Sequence, residues 1–197
     1  MERAPATRLT YPDLRTERLL LRRLRRTDRH DLYAYGQQPE VTRYLLWDAY
    51  RSLEDVDQFL TATLQHYQLG EPASWGLEEL ATGVVVGTLS YVDFQPRHRR
   101  VEIGYALAPA CWGRGYMPEA IGRLLSYSFE NLELNRVEAR VISENAPSAR
   151  VLTKCGFRSE GVLREHLLSR GAYHDVEVYS LLASEWRALQ AAGNVRP

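Results

Sequence analysis

The sequence is poor in the features that mark secreted, membrane-spanning and strongly charged proteins. Its 197 residues include only two cysteines, Cys111 and Cys155, which lack the paired spacing of a zinc or dithiol motif. No apolar run approaches the ~20 residues that a membrane-spanning helix needs, and the first residues lack the apolar centre of a signal peptide. The 25 basic and 25 acidic residues cancel, so no overall charge attracts nucleic acid or an anionic membrane. We expect a cytoplasmic protein with reduced thiols and no membrane or direct nucleic-acid partner.

The sequence also gives little support for a metal site or for a local nucleic-acid-binding patch. The five histidines show no metal-ligand spacing, so we expect no metal site. The arginine-rich segment 15–29 resembles a nucleic-acid patch, but leucines interleave with its arginines as in a strand with one buried face. The length suits one domain. We expect an N-terminal extension over 1–15, the domain over 16–190 and a tail over 191–197.

Hydrophobic periodicity predicts a mixture of strands and helices. Strands are predicted near residues 19–24, on both sides of a turn at 81–83 within 74–94, over 99–107, over 137–141 and in a hairpin after residue 161. Helices are predicted after residue 27, over about 52–70, from about 118, from 147 to 156 and near 185–189. Ser52 and Asp55 resemble a capping box at the start of the second of these helices.

The most informative segment joins a strand to a helix through two glycines. Gly113 and Gly115 permit positive φ and a close approach of the backbone. An amphipathic helix then begins near Pro118, with unpaired N–H groups and the positive end of its dipole. This order predicts an anion cradle suited to a diphosphate. The loop lacks the Gly-Lys-Ser/Thr of a Walker motif and the third glycine of a dinucleotide fingerprint, so neither motif applies.

Several motifs, in this order, resemble the GNAT superfamily of N-acetyltransferases, in the branch of the ribosomal-protein N-terminal acetyltransferases RimJ and RimL. The motifs are Thr16-Glu17-Arg18-Leu19-Leu20-Leu21-Arg22, Glu102-Ile103-Gly104-Tyr105, Trp112-Gly113-Arg114-Gly115-Tyr116, Asn145-x-x-Ser148 and Lys154-Cys155-Gly156-Phe157. Each is weak alone, but the ordered set is specific and covers nearly the whole chain. The resemblance implies a single α/β (α+β) domain: a mixed, mostly antiparallel twisted sheet of about seven strands flanked by helices, with acyl-CoA in the splay between two central strands.

The resemblance also implies which residues hold acetyl-CoA. Leu107 and Ala108 would pair with the pantetheine arm like an added strand, and Asn145 would cap its helix while hydrogen-bonding the cofactor or its water. Backbone N–H groups would hold the pyrophosphate, and Arg114 could also neutralise phosphate directly. These loop residues are Gly113, Arg114, Gly115, Tyr116 and Met117. Ala110 stands where the wider superfamily often has Gln or Arg, which should weaken anchoring without abolishing it.

Amine acetylation needs a proton acceptor near neutral pH, because a lysine-type amine has a pKa of ~10.4 and an α-amine ~8. Glu102 is the expected base, since its position resembles that of the catalytic glutamate of histone acetyltransferases; the alternative is an ion pair with Arg100 or another arginine. Ser148 is the expected donor to the leaving thiolate, or else a first-turn serine with a local role. Related spermidine acetyltransferases use a tyrosine where this chain has Leu152. A backbone N–H near Leu107 is the expected oxyanion donor.

Five other residues have a functional and a plainer interpretation. Tyr105 alternates with Glu102 along its strand and is expected in the core. Cys111 suggests covalent catalysis, but a small residue beside the loop is the favoured interpretation. The resemblance places Tyr173, His174 and Asp175 on a hairpin that borders the acceptor pocket of relatives, where they could touch the substrate. The alternative is that they have only an ordinary role in the turn.

Three function classes stay open at this point. The first is direct transfer of acetyl, or of a longer acyl group, to a primary amine: nominally a protein N-terminal α-amine, alternatively a small amine, amino acid or antibiotic. The second is a non-catalytic acyl-CoA-binding module, favoured by Leu152 and opposed by Glu102, Asn145 and Ser148. An RNA-binding role is the weakest because the net charge is zero. Since relatives are often dimers, a homodimer is one expectation.

Overall fold

The computed structural model describes residues 8–193, and within them one sheet carries six α-helices. Its eight strands are β1 (Leu14–Arg15), β2 (Leu19–Arg23), β3 (Ser74–Glu79), β4 (Val85–Gln95), β5 (Arg100–Leu107), β6 (Arg136–Ile142), β7 (Arg158–Ser169) and β8 (Ala172–Leu182). The helices are α1 (Arg29–Gly36), α2 (Pro39–Thr42), α3 (Leu53–Leu69), α4 (Tyr116–Ser126), α5 (Ala146–Lys154) and α6 (Ala183–Ala191).

The spatial order of the strands is β1-β2-β3-β4-β5-β6-β8-β7. All neighbours are antiparallel except β5 and β6, which are parallel. This confirms the expected mixed, mostly antiparallel sheet flanked by helices. The sheet has one strand more than the approximate number expected, and the shortest strand, β1, has only two residues. Two residues are too few to show the alternation that identifies a strand in sequence.

Helices cover both faces of the sheet. Val101 and Ile103 of β5 belong to the main core cluster together with residues of α4, whereas Ala106 belongs to a second cluster with residues of α1 and α3. Side chains an odd number of positions apart on a strand point to opposite faces. Strand β5 is therefore the central element to which both layers attach.

Local sequence signals place the helices as predicted. The capping box of Ser52 and Asp55 is formed at the start of α3, and Gly70 ends that helix in the left-handed conformation with φ of 68°. Pro147 lies in the first turn of α5, and Gly156 follows that helix with φ of 89°. These predictions are confirmed. They could be made from the sequence because helix caps and helix-ending residues act within one or two turns.

The segment before residue 16 packs against the domain. Leu9, Tyr11 and Leu14 are buried in the main core cluster, and the Thr10 hydroxyl lies 2.7 Å from the Tyr127 hydroxyl. Residues 1–7 and 194–197, which fall in the expected extension and tail, lie outside the described part. The division at residues 15 and 190 stays a prediction.

A buried ionic network lies where β2 was expected to have one solvated face. Arg22 is only 4% exposed. Its guanidinium binds Asp28 through two hydrogen bonds of 2.8 and 2.9 Å and binds Glu78 at 2.5 Å. Asp28 also accepts the Arg25 N–H at 2.7 Å. One of the arginines of this segment is thus neutralised inside the fold.

Replacing Asp28 with alanine should lower the free energy of unfolding by about 2 kcal/mol, measured by urea denaturation. Breaking a buried pair typically costs ~3–5 kcal/mol, and Glu78 still neutralises part of the Arg22 charge. The matched control is Asp57→Ala, since the Arg29–Asp57 pair spans 3.0 Å but both side chains are over one-third exposed. This control should cost ~0–1 kcal/mol. Equal losses in the two variants would show that Arg22 needs no buried partner.

Candidate functional site

The two central strands separate after a short paired stretch. Strands β5 and β6 align at three positions, the last being Glu102 opposite Glu138. Beyond that point β5 stays paired with β4, and β6 stays paired with β8. The β4–β5 register shifts between Tyr91 and Asp93, beside this point, and such a bulge bends a strand and increases its twist. The result is the expected splay, a V-shaped opening with Glu102 at its apex.

The inner edge of β5 directs backbone groups into this opening. The Ala108 N–H donates to the Val86 carbonyl at 2.8 Å, toward β4. Because successive residues of a strand direct their N–H and C=O groups to opposite sides, Tyr105 and Leu107 direct theirs toward β6. The Trp112 indole N–H reaches the Leu107 carbonyl from that side at 2.7 Å. An extended ligand could pair with this edge as an added strand.

Ala108 is less available than the resemblance implies. Its N–H is donated to Val86, and its carbonyl accepts the Cys111 N–H at 2.9 Å. The fold therefore uses both backbone groups of Ala108. An added strand would find its main-chain partner at the Leu107 N–H instead, since the Leu107 carbonyl accepts the Trp112 indole N–H.

The glycine loop has the backbone shape that the sequence predicts. Gly113 and Gly115 have φ of 71° and 79°, and α4 begins directly afterwards at Tyr116. Within residues 8–193, the N–H groups of 113–117 make no short, well-aligned hydrogen bond to another residue. N–H groups that are available in this way at the positive end of a helix can bind an anion.

Arg114 is folded onto its own loop. Its Nη2 donates to the Tyr116 hydroxyl at 2.9 Å and lies 3.6 Å from Glu79 Oε1. Arg18, which belongs to the motif that begins at Thr16, contacts the same loop: its Nη1 donates to the Arg114 carbonyl at 2.9 Å. The Arg18 guanidinium also lies 4.5 Å above the centre of the Tyr116 ring.

Glu119, in the first turn of α4, holds Arg18 in this position. The two side chains form an ion pair at 2.6 Å, and Glu119 also accepts the Arg18 N–H at 2.8 Å and the Thr16 hydroxyl at 2.6 Å. Burial opposes ionisation of Glu119, but these hydrogen bonds outweigh it and lower its pKa. The partners are about a hundred residues apart, so no sequence spacing could have indicated this contact.

Glu102 forms an ion pair with Arg140, not with Arg100. Its Oε2 accepts a hydrogen bond from Arg140 Nη1 at 2.8 Å, and the Glu102 side chain is 12% exposed. Burial raises the pKa of Glu102, with nearby Glu138 adding to the rise and Arg140 opposing it. A buried carboxyl group whose pKa moves toward neutrality is suited to proton transfer. The same carboxylate is oriented by an arginine that remains 46% exposed.

Ser148 lies on the first turn of α5 and meets β5. Its N–H donates to the Asn145 side-chain oxygen at 3.2 Å, so Asn145 caps the helix as expected. The Ser148 hydroxyl lies 2.7 Å from the Tyr105 hydroxyl. Leu152 is fully buried in the main core. Tyr105 packs against that core, but its hydroxyl contacts Ser148. The alternation of residues along the strand did not predict this contact.

The hairpin of β7 and β8 has its own contacts. Asp175 accepts the Glu165 N–H at 2.8 Å, and the Asp175 carbonyl accepts the Ser143 N–H at 3.0 Å. His174 is paired within the hairpin, and Tyr173 is 65% exposed. At the tip, Arg170 donates to the carbonyls of three residues in or just after α2 at 3.0–3.1 Å. The hairpin is thereby attached to the α2 loop.

Other chemistry finds little support in the described residues. Cys111 is buried, and burial raises the pKa of its thiol, which disfavours the thiolate needed for covalent catalysis. No group of three or more His, Cys, Asp or Glu side chains in the described chain could hold a metal ion. None of its helices combines the length and apolar character needed to cross a membrane.

The chain is similar to acetyltransferases along most of its length. The family model described as "Acetyltransferase (GNAT) domain" matches residues 18–158. The "Uncharacterized N-acetyltransferase YoaA" of Bacillus subtilis (strain 168) is 36% identical over 172 residues, covering 87% of this chain and 97% of that protein. A putative ribosomal-protein-serine acetyltransferase from Vibrio cholerae has a TM-score of 0.79 at 27% identity, covering 88% and 99% of the two chains. Spermidine N-acetyltransferase from the same species, in complex with CoA and spermine, has a TM-score of 0.76 at 25% identity, with 87% and 99% coverage.

Proposed function

Because this chain belongs to the GNAT family of acetyltransferases and is an acetyl-CoA-dependent N-acyltransferase, we propose that its acceptor is a protein N-terminal α-amine. The observation that carries this proposal is the largely buried Glu102 carboxyl group at the apex of the splay. It is oriented by Arg140 and has a pKa above the ordinary value. A weak base of this kind matches an α-amine, whose pKa of ~8 lies nearer neutrality than the ~10.4 of a lysine.

We place the co-substrate along the splay. The available N–H groups of 113–117 would receive the pyrophosphate, and the Leu107 backbone would pair with the pantetheine arm. Ala108 would contribute only through its side chain, because its backbone groups are already bonded. Asn145 holds α5, and so Ser148, beside the opening. Arg114 lies close enough to the loop to approach a phosphate once it leaves Tyr116.

The transfer itself needs no covalent bond to the enzyme. A C–N bond forms between the amine and the acetyl carbon, the C–S bond breaks, and one proton moves overall from a neutral amine to the thiolate. Glu102 accepts the amine proton, directly or through one water, as general base. Ser148 would hydrogen-bond the departing sulfur, and a backbone N–H near Leu107 would donate to the developing oxyanion. The buried, protonated Cys111 fits this direct route.

The charges near Glu102 favour an α-amine over a polyamine. A polycation is recognised by several unpaired carboxylates, whereas here Glu102 binds Arg140 at 2.8 Å. Glu138 and Glu160 bind Arg136 at 2.7 and 2.6 Å. Each of these three acids has an arginine partner, whereas Asp93, opposite Glu102 on β4, accepts a hydrogen bond from Gln95 at 2.7 Å. The similarity to a spermidine acetyltransferase therefore does not extend to an evident polyamine site on this strand pair.

The proposal predicts that release of free CoA thiol from acetyl-CoA will depend on a free N-terminus. A short peptide with a free α-amine should be turned over, whereas the same peptide with an acetylated N-terminus and an internal lysine should be at least ~100-fold slower. That factor follows because the two amines differ by ~2.4 pKa units in the cost of deprotonation.

Spermidine, a free amino acid and an aminoglycoside are the comparison acceptors. A kcat/KM for spermidine or another small amine above that for all peptides would contradict the N-terminal assignment and leave the acetyltransferase intact. Acetyl-CoA binding by calorimetry without thiol release for any acceptor would instead favour a non-catalytic acyl-CoA-binding module.

A further inference from the structure

Tyr105 and Ser148 form a hydrogen bond that connects the two sides of the splay. Tyr105 belongs to β5, and Ser148 belongs to α5, which follows β6. Their hydroxyl oxygens are 2.7 Å apart, and the Tyr105 hydroxyl is also 3.3 Å from the Ser148 carbonyl. The backbone of Tyr105 faces the opening, as shown above. The pair therefore lies beside the space where the thioester is proposed to bind.

Two arrangements of the hydrogens satisfy this geometry. In one, Ser148 donates to the Tyr105 oxygen while Tyr105 donates to the Ser148 carbonyl. In the other, Tyr105 donates to Ser148 Oγ, and the serine hydrogen is free to point into the splay. An anionic sulfur in the opening selects the second arrangement, because hydrogen bonds to charged groups are stronger and adjacent hydrogen bonds polarise one another.

We propose that Tyr105 is a positioning residue that aims the Ser148 hydroxyl at the departing thiolate by donating a hydrogen bond to Ser148 Oγ. This inference rests on the proposed role of Ser148. No proton leaves Tyr105 in this arrangement, so the balance of the transfer is unchanged. Without Tyr105, the Ser148 hydroxyl is no longer held toward the splay and can turn to other nearby backbone groups, as a serine in the first turn of a helix commonly does.

The surroundings of Tyr105 keep it a donor. Burial raises the pKa of its phenol, and the hydrogen bond with Ser148 opposes that rise only in part. Tyr105 therefore stays protonated at every pH at which the enzyme would be assayed. It orients Ser148 and is not itself a source of protons.

A double-mutant cycle tests the inference with acetyl-CoA and the free-N-terminus peptide. Tyr105→Phe should lower kcat about tenfold, because the hydrogen bond from Ser148 to the charged thiolate is lost and one such bond is worth about this factor. The Kd of acetyl-CoA should change less than twofold. In a Ser148→Ala background, Tyr105→Phe should change kcat less than twofold, because Tyr105 acts only through Ser148. An equal fold-loss in both backgrounds, or a weaker Kd that accounts for the loss, would overturn the inference.

The chain offers a matched control in Tyr91. Its hydroxyl lies 2.7 Å from the Ser128 hydroxyl, again a strand tyrosine bonded to a helix serine, but inside the main core. Tyr91→Phe should cost stability without lowering kcat. If Ser148→Ala keeps the wild-type kcat, the proposed role of Ser148 fails together with the inference. If Ser148→Ala is slow but Tyr105→Phe is not, the inference alone fails.

Discussion

Gly113→Val is expected to weaken acetyl-CoA binding by at least ~100-fold in a calorimetric titration. Gly113 has φ of 71°, a conformation that a β-branched residue strongly disfavours. The loop should rotate to negative φ, which turns neighbouring N–H groups away from the anion they are proposed to bind. Hydrogen bonds to charged groups contribute ~1.5–3 kcal/mol each, and loss of two of them accounts for the factor.

Gly171→Val separates backbone strain from ligand binding. Gly171 has φ of 80° in the turn between β7 and β8, and a Cβ at either glycine would meet nothing within 4 Å. Both variants should therefore lose a similar ~1–2 kcal/mol of stability. Only Gly113→Val should lose affinity. If both variants retain wild-type affinity at equal stability, the glycine loop does not hold the pyrophosphate.

Glu102→Gln is expected to lower kcat/KM by about 10²–10³-fold, within the range for removal of a general base. Glutamine keeps the size of the side chain and a hydrogen-bond acceptor for Arg140, so the loss should reside in proton transfer. Acetyl-CoA affinity should change little, because the loop and the β5 edge are untouched. Steady-state rates over a pH series, together with a binding titration, measure both quantities.

The raised pKa of Glu102 determines how kcat/KM should depend on pH. A base works only when deprotonated, and the Glu102 pKa is raised, so wild-type kcat/KM should rise with pH through a value above 4.5. The part of that rise due to Glu102 should disappear in Glu102→Gln, which leaves only the rise set by deprotonation of the substrate amine near pH ~8. Glu160→Gln is the control, because hydrogen bonds from Arg136 and Ser180 lower the Glu160 pKa to about 2, and it should keep both the rate and the whole rise. An unchanged rate and rise in Glu102→Gln would leave Glu102 as only an ion-pair partner of Arg140.

Features determined within a few residues were predictable from the sequence. The capping box before α3, the positive φ of Gly113 and the cap that Asn145 provides for α5 depend on contacts of one to three positions. The strand pattern also indicated the order of elements around the loop. These signals are local because hydrogen bonds at caps and turns close short rings of the backbone.

Features determined by distant partners could not be predicted in the same way. Arg18 meets the glycine loop across 96 residues, and Tyr105 meets Ser148 across 43. Arg22 was expected to lie on the solvent-facing side of a half-buried strand. Instead it is buried, and Glu78, 56 residues away, helps to neutralise its charge. The type and periodicity of the side chains predict which face of a strand or helix a residue occupies. Which distant residue it contacts depends on tertiary packing.

The separation of β5 from β6 also gives the sheet two internal edges, each with main-chain groups that no neighbouring strand occupies. Exposed strand edges are usually a liability that folded proteins cover or shorten. In the proposed binding mode the co-substrate fills this gap, so the acyl donor would be a structural part of the sheet as well as a reactant. By mass action, a donor present at 100 times its Kd adds about 2.7 kcal/mol to the stability of the native state. In that binding mode, the supply of acyl donor would add to the stability that the shared core already gives the two halves of the sheet.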